Sequence, residues 1–101
     1  MRIIARRTIK LFWEKHPESE DALKIWYKRV SNATWINFSE LKVDFGSADM
    51  VGRERVVFNI TGNSYRLIAK VDFEFQLVFI RFIGSHSDYN KMNKKIGASN
   101  C

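Results

Sequence analysis

The sequence predicts an α+β domain: a short strand, two helices, an antiparallel β-meander and a short C-terminal helix. Three observations carry that reading. Apolar residues recur at helical spacing over the first third of the chain. Three runs rich in β-branched and aromatic residues, broken by turn residues, fill most of residues 53–83. A length of 101 residues with 46% hydrophobic content supports one core and not two. We expect residues 1–93 to form that single domain and residues 94–101 to be a flexible basic tail.

Ile3 and Ile4 mark the first strand. In "TIKLFWEKH", Ile9, Phe12 and Trp13 fall at i, i+3 and i+4, the spacing of one helix face, with Thr8 as N-cap. In "HPESEDALKIWYKRVSNA", Pro17, Glu18, Glu20 and Asp21 suit a first helical turn, where the dipole favours acids. Ala22, Ile25, Trp26, Arg29 and Val30 continue the helix. So short a link between the two predicts an antiparallel pair. "TWINFSELKVDFGSADMVG" mixes helical spacing with Gly46 and Gly52 and reads as a structured connection. "RERVVFNI", "SYRLIAKVDF" and "QLVFIRFI" are the meander strands, joined at "TGNS", with Gly62-Asn63 as a hairpin signal, and at "DFEFQ".

Side chains alternate faces along a strand. Tyr65, Leu67, Ala69, Val71 and Phe73 form an apolar face for the helices, as do Val78, Ile80 and Phe82. Phe79, Arg81 and Ile83 should point the other way. In the simplest register Arg66, Lys70 and Arg81 then share the outer face, where Asn59 joins them. Like charges so placed repel unless an anion sits among them, and a phosphate would serve.

The formal charge is +6, with 17 Lys+Arg against 11 Asp+Glu. The first ten residues hold four cations and no acid. Such a surface suits a polyanion. One cysteine, Cys101, excludes a disulfide framework and a cysteine-rich metal site, and two isolated histidines, His16 and His86, make poor zinc ligands, so neither metal nor cofactor is expected. No apolar segment approaches a membrane span, and the basic start lacks the apolar region of a signal peptide; the expected location is the cytoplasm. No glycine-rich phosphate loop or nucleophilic serine elbow occurs.

The last strand ends in "RFIGSHSDYNKM", which sets His86, Asp88, Tyr89 and Lys91 within eight residues of Gly84. Gly84 would let the chain turn, and Ser85 would cap a short helix that places Tyr89 one turn from His86.

The stretch "DFGSADMVGRERVVFNITGNSYRLIAKVDFEFQLVFIRFIGSHSDYNKM" resembles the HigB-type toxins of the RelE/ParE superfamily. "RTIKLFWEKHP" and "LKIWYKRV" also fit, so the resemblance covers residues 1 to about 92. "VFNITGNSYRLI" and "IRFIGSHSDYNK" are its long, ungapped signatures. The family more often has Thr at Ser85, Glu at Asp88 and Asp at Asn90; Asn90 removes an acid. The resemblance implies a RelE-like fold and a toxin that cleaves messenger RNA on the translating ribosome. It also implies neutralisation by a cognate helix-turn-helix antitoxin, HigA-like.

Metal-free RNA cleavage needs a base for the 2′-hydroxyl, cations on the phosphoryl oxygens and an acid for the leaving 5′-oxygen. Arg66 and Arg81 can grip phosphate with planar forks. His86 supplies a side chain whose class titrates near neutrality. Lys70 can serve as a point charge or a base, and Tyr89 as a donor or a stacking surface. Lys91, Lys94, Lys95 and Asn59 are candidates for RNA contacts, whereas His16 reads as structural. Two other readings stay open: a non-enzymatic toxin that binds a protein, since gyrase poisons share the superfamily fold, and a plain RNA-binding module.

Overall fold

The first third of the chain forms two helices that lie on one side of a sheet. The computed structural model describes residues 1–62 and 64–101. In chain order it contains β1 (Arg2–Ile4), α1 (Arg6–Lys15), α2 (Glu20–Ser31), α3 (Phe38–Asp44) and β2 (Asp49–Gly52). Then follow β3 (Arg55–Ile60), β4 (Tyr65–Asp72), β5 (Leu77–Ser85) and α4 (His86–Lys95). The sheet order is β1-β5-β4-β3-β2. β1 runs parallel to β5, and the remaining pairs are antiparallel. The expected α+β class and β3–β4–β5 meander are therefore present, in a mixed sheet with one strand more than expected.

α1 starts at Arg6, two residues before Thr8, with Ala5 as N-cap and no side-chain cap. Ile9 and Trp13 are its buried residues. Pro17–Ser19 makes one 3₁₀ turn, in which the buried Ser19 hydroxyl donates to the His16 carbonyl at 2.7 Å. α2 then buries Leu23, Trp26 and Val30, while Ile25 is 60% exposed. The buried stripe thus runs through Leu23 and not through Ile25. Each such large apolar side chain, taken from water, contributes roughly 1.5–3 kcal/mol. Arg6 at the start of α1 lies over Tyr27 near the end of α2, and Lys24 lies over Trp13, as in two helices of opposite direction.

The segment expected as an irregular connection contains α3 and β2. Asn37 caps α3 by accepting from the Glu40 amide at 3.0 Å, and the Glu40 carboxylate accepts from the Ile36 amide. That reciprocal pattern starts a helix. β2 follows the Phe45–Ala48 turn and pairs with β3. At the β3–β4 turn the Ser64 amide donates to the Thr61 carbonyl, and Gly62 has φ +62°. Asn63, half of the expected turn core, lies outside the described residues.

Tyr65, Leu67, Ala69 and Val71 of β4 face α1 and α2 in the main core, as alternation predicts. On β5 the expectation fails halfway. Val78 and Ile80 face this core opposite Val71 and Ala69, but the next pairs are Ile68 with Phe82 and Leu67 with Ile83. Arg81 has no partner on β4: it is the extra residue of a β-bulge. One inserted residue exchanges the faces of everything after it. Ile83 therefore packs against the main core and Phe82 against the opposite face, the reverse of the simple alternation.

That opposite face has its own smaller core of Val57, Ile68, Tyr89 and Ala98, flanked by Phe82, Met92 and Cys101. Residues 94–101, expected as a tail, continue α4 to Lys95, turn at Gly97 (φ +79°) and form a 3₁₀ turn, Ala98–Asn100. The Ala98 amide donates to Asn93 Oδ1 at 2.9 Å, and Ala98 is buried against the sheet. Arg66, Lys70, Arg55 and Asn59 share the face on which this segment lies.

Candidate functional site

Gly84 is the last buried residue of β5 and pairs with Arg66, which in turn pairs with Asn59 on β3. One row across three strands therefore runs Asn59, Arg66, Gly84. Gly84 was expected to permit a sharp turn. It lies inside the strand instead, and its missing side chain makes room: a Cβ there would stand 2.7 Å from Phe82 Cζ and 3.0 Å from Asp88 Cβ.

The chain leaves the sheet at Ser85 through a full capping box. The Ser85 hydroxyl accepts from the Asp88 amide at 3.1 Å, and the Asp88 carboxylate accepts from the Ser85 amide at 3.3 Å. This box fixes the direction in which α4 departs. His86 is its first residue, half-buried, and Tyr89 follows at i+3, on the same side of the helix. Tyr89 is 8% exposed; its ring lies edge-on to Phe82 and beneath Arg66, whose guanidinium carbon is 4.6 Å from the ring centre.

Among the described residues Arg66 meets no hydrogen-bond acceptor. Its buried Nε meets no hydrogen-bond partner, and among the described residues the only salt bridges are Lys24–Glu20 and Lys42–Asp49, both remote in sequence from the site. The aromatic face holds the cation without neutralising it. Its remaining donors, on the two Nη atoms, form no hydrogen bond among the described residues and suit an anion.

The other expected residues divide. The fold brings Asn59 into the Arg66 row. It sets Lys70 four residues further along β4, opposite Arg55 and Phe79. Arg81 is exposed in the bulge between these two levels. Lys91, Lys94 and Lys95 are exposed on α4, the last two in the final turn where the helix dipole favours cations. His16 is stacked on Phe12 at 4.4 Å, with Nδ1 3.5 Å from Tyr65 Oη, in the packing between helix and sheet. Arg55 was missed. The alternation that placed Asn59 on the outer face places Arg55 there too, four residues earlier on the same strand. Among the described residues no group of three or more His, Cys, Asp or Glu could hold a metal ion, and no helix is long and apolar enough to cross a membrane.

Arg66, on the Tyr89 ring beside the capped start of α4, and the other cations of this face, which form no salt bridge among the described residues, are chemically suited to an anion such as a phosphate. The chain belongs to the HigB toxin family, the RelE-like toxic component of a toxin–antitoxin system, whose profile matches residues 19–92. It is 29% identical over 92 residues to the mRNA interferase toxin HigB of Escherichia coli K12, covering 89% of this chain and 88% of that one. The mRNA interferase HigB of Shigella flexneri shows the same identity and coverage. That of Escherichia coli O6:H1 is 24% identical over 96 residues, with 93% of each chain covered.

Proposed function

We propose that this protein is the toxin of a type II toxin–antitoxin module and a metal-independent endoribonuclease that cleaves messenger RNA on the translating ribosome. The observation that carries the reading is Arg66, held on the Tyr89 ring without a salt bridge among the described residues, beside the start of the helix that bears His86. The family and the mRNA interferase relatives support it. Residue by residue, Arg66 binds a non-bridging oxygen of the scissile phosphate, with Asn59 as a further donor beside it. Arg81 adds positive charge from the bulge. His86 moves protons at the reacting oxygens. Tyr89 orients the arginine and the nucleotide. Lys70, a register further along, acts as a cation and not as the base. Lys91, Lys94 and Lys95 lie along α4 where a ribosomal or messenger backbone can pass.

In this chemistry the 2′-oxygen forms a bond to phosphorus as its proton passes to a base. The bond from phosphorus to the 5′-oxygen breaks, and that oxygen takes a proton. The products are a 2′,3′-cyclic phosphate and a 5′-hydroxyl. Negative charge gathers on the phosphoryl oxygens in the transition state, where fixed donors act most strongly. The guanidinium offsets that charge without a metal. A HigA-like helix-turn-helix antitoxin restrains the enzyme, and the site of action is the cytoplasm.

The test is to incubate purified protein with ribosomes and a defined message and to map the ends. Cuts within the reading frame that depend on translation, with cyclic phosphate ends, are expected. An intact message with translation stopped would replace this reading with a toxin that acts by binding.

A further inference from the structure

On the outer face the reaction above leaves Arg55 without a task and uses Lys70 and Arg81 only as general positive charge. Arg55 and Lys70 are direct cross-strand partners, an arrangement in which like charges destabilise a sheet. Arg81 is the exposed bulge residue between the Ala69–Ile80 and Ile68–Phe82 pairs, next along β4 from Lys70. Among the described residues no side-chain carboxylate forms a salt bridge with any of the three. What lies among them is main-chain oxygen. The Arg55 guanidinium donates from Nε and Nη2 to the Cys101 oxygen at 3.2 and 3.0 Å, and from Nη1 to the Arg53 carbonyl at 2.8 Å. An arginine fork presented side-on in this way is the shape that grips phosphate.

We propose that Arg55 and Lys70, with Arg81 beside them, form a second subsite for a backbone phosphate of single-stranded RNA, which residues 98–101 cover when no RNA is bound. The proposal rests on the ribonuclease reading. Asn59 and Arg66 define one row, Arg55 and Lys70 another, four residues along both strands. At about 3.3 Å per residue the rows stand roughly 13 Å apart. That is wider than the spacing of adjacent phosphates, so the second row takes a flanking nucleotide and not the one being cut. Between the rows lie Val57, Ile68 and Phe82, the small apolar core that Ala98 helps to cover. RNA and the 98–101 segment therefore compete for one surface: a phosphate oxygen takes the position of the Cys101 oxygen. The segment is seated by the buried methyl of Ala98, by Cys101 against the same small core, by Ser99 near Gly52 of β2, and by the bonds to Arg55 and Asn93.

The experiment measures binding of 2′-O-methyl oligonucleotides, which cannot be cleaved, by fluorescence anisotropy across lengths and salt concentrations. For the wild-type protein, affinity should step up at the length that reaches from the Arg66 row to the Arg55 row. Arg55→Gln should abolish that step, weaken the longer oligonucleotides about tenfold and reduce the salt slope by about one, while the shortest cleavable substrate is still cut at the wild-type rate at saturation. Ala98→Asp, which unseats the segment, should tighten the longer oligonucleotides alone. Arg55→Lys keeps the charge but not the fork, and should restore the salt slope without the full affinity; it also controls for a folding defect in Arg55→Gln. If Arg55→Gln binds long oligonucleotides with wild-type affinity and salt slope while the wild-type protein cleaves message, the subsite is wrong and the ribonuclease reading stands. If the wild-type protein neither binds nor cleaves RNA, both fall together.

Discussion

The guanidinium carbon of Arg66 lies 4.6 Å from the centre of the Tyr89 ring, and the ring is 8% exposed. This contact joins a sheet strand to the helix that leaves it, and it separates two duties of the tyrosine. If Tyr89 works by holding the arginine, Tyr89→Phe should keep most of the cleavage rate. Tyr89→Ala should lose it and also cost about 3 kcal/mol of stability by emptying part of the smaller core. Message cleavage and denaturant unfolding of both variants make the comparison. A large rate loss in Tyr89→Phe with unchanged stability would assign the phenolic proton a chemical role instead.

Arg66 and His86 should act as one unit. Arg66→Ala and His86→Gln are each expected to lower cleavage by about 10²–10³, and the double variant should be little worse than the weaker single. Single-turnover rates on ribosome-bound message test this. Multiplicative losses would mean that the two residues serve separate steps.

Ser85 and Asp88 close the capping box that aims α4. Ser85→Ala should cost about 1 kcal/mol and fray the first turn that holds His86, and Ser85→Thr should restore both stability and cleavage. Amide exchange over residues 86–89 reports the fraying directly.

Gly84→Ala forces a Cβ to within 2.7 Å of the Phe82 ring and 3.0 Å of Asp88. Overpacking of this kind costs about 1–3 kcal/mol. The loss should appear in the unfolding midpoint, together with reduced cleavage as α4 is pushed outward.

The bulge makes the least intuitive forecast. Deleting Arg81 should leave the fold intact, because Ile80 and Phe82 would then follow each other in the plain alternation that their pairing with Ala69 and Ile68 already has. Activity should fall, because the cation is gone. Circular dichroism and cleavage assays on the deletion variant decide it, and an unfolded product would mean that the bulge itself holds β5 in place.

Most of the architecture was legible because the main core follows simple periodicity. Leu67, Ala69 and Val71 alternate cleanly, and the β3–β4–β5 meander sits where its β-branched runs lie. The bulge was not legible: "VFIRFI" is an unbroken β run, and nothing in it marks Arg81 as extra. α3 could have been found from Asn37 and Glu40, whose spacing is a capping pattern, but Gly46 and Gly52 drew attention to the breaks around it. Local spacing sufficed to join Ser85, His86 and Tyr89. It could not show that Lys70 belongs with Arg55, since that depends on the pairing between strands. The seat of residues 98–101 was hidden because a small alanine, not a large apolar residue, anchors it.

The strand order has a consequence for how the molecule comes into being. β1 pairs in parallel with β5, Ile3 beside Val78, so the first strand made is completed by the last. Contacts between such distant parts of a chain form late and slowly. The histidine and tyrosine of the proposed cutting site follow directly after β5 in the chain. A half-made copy therefore has its helices and an unclosed sheet but no assembled site. By its topology the chain completes the proposed site only after β5 has been made.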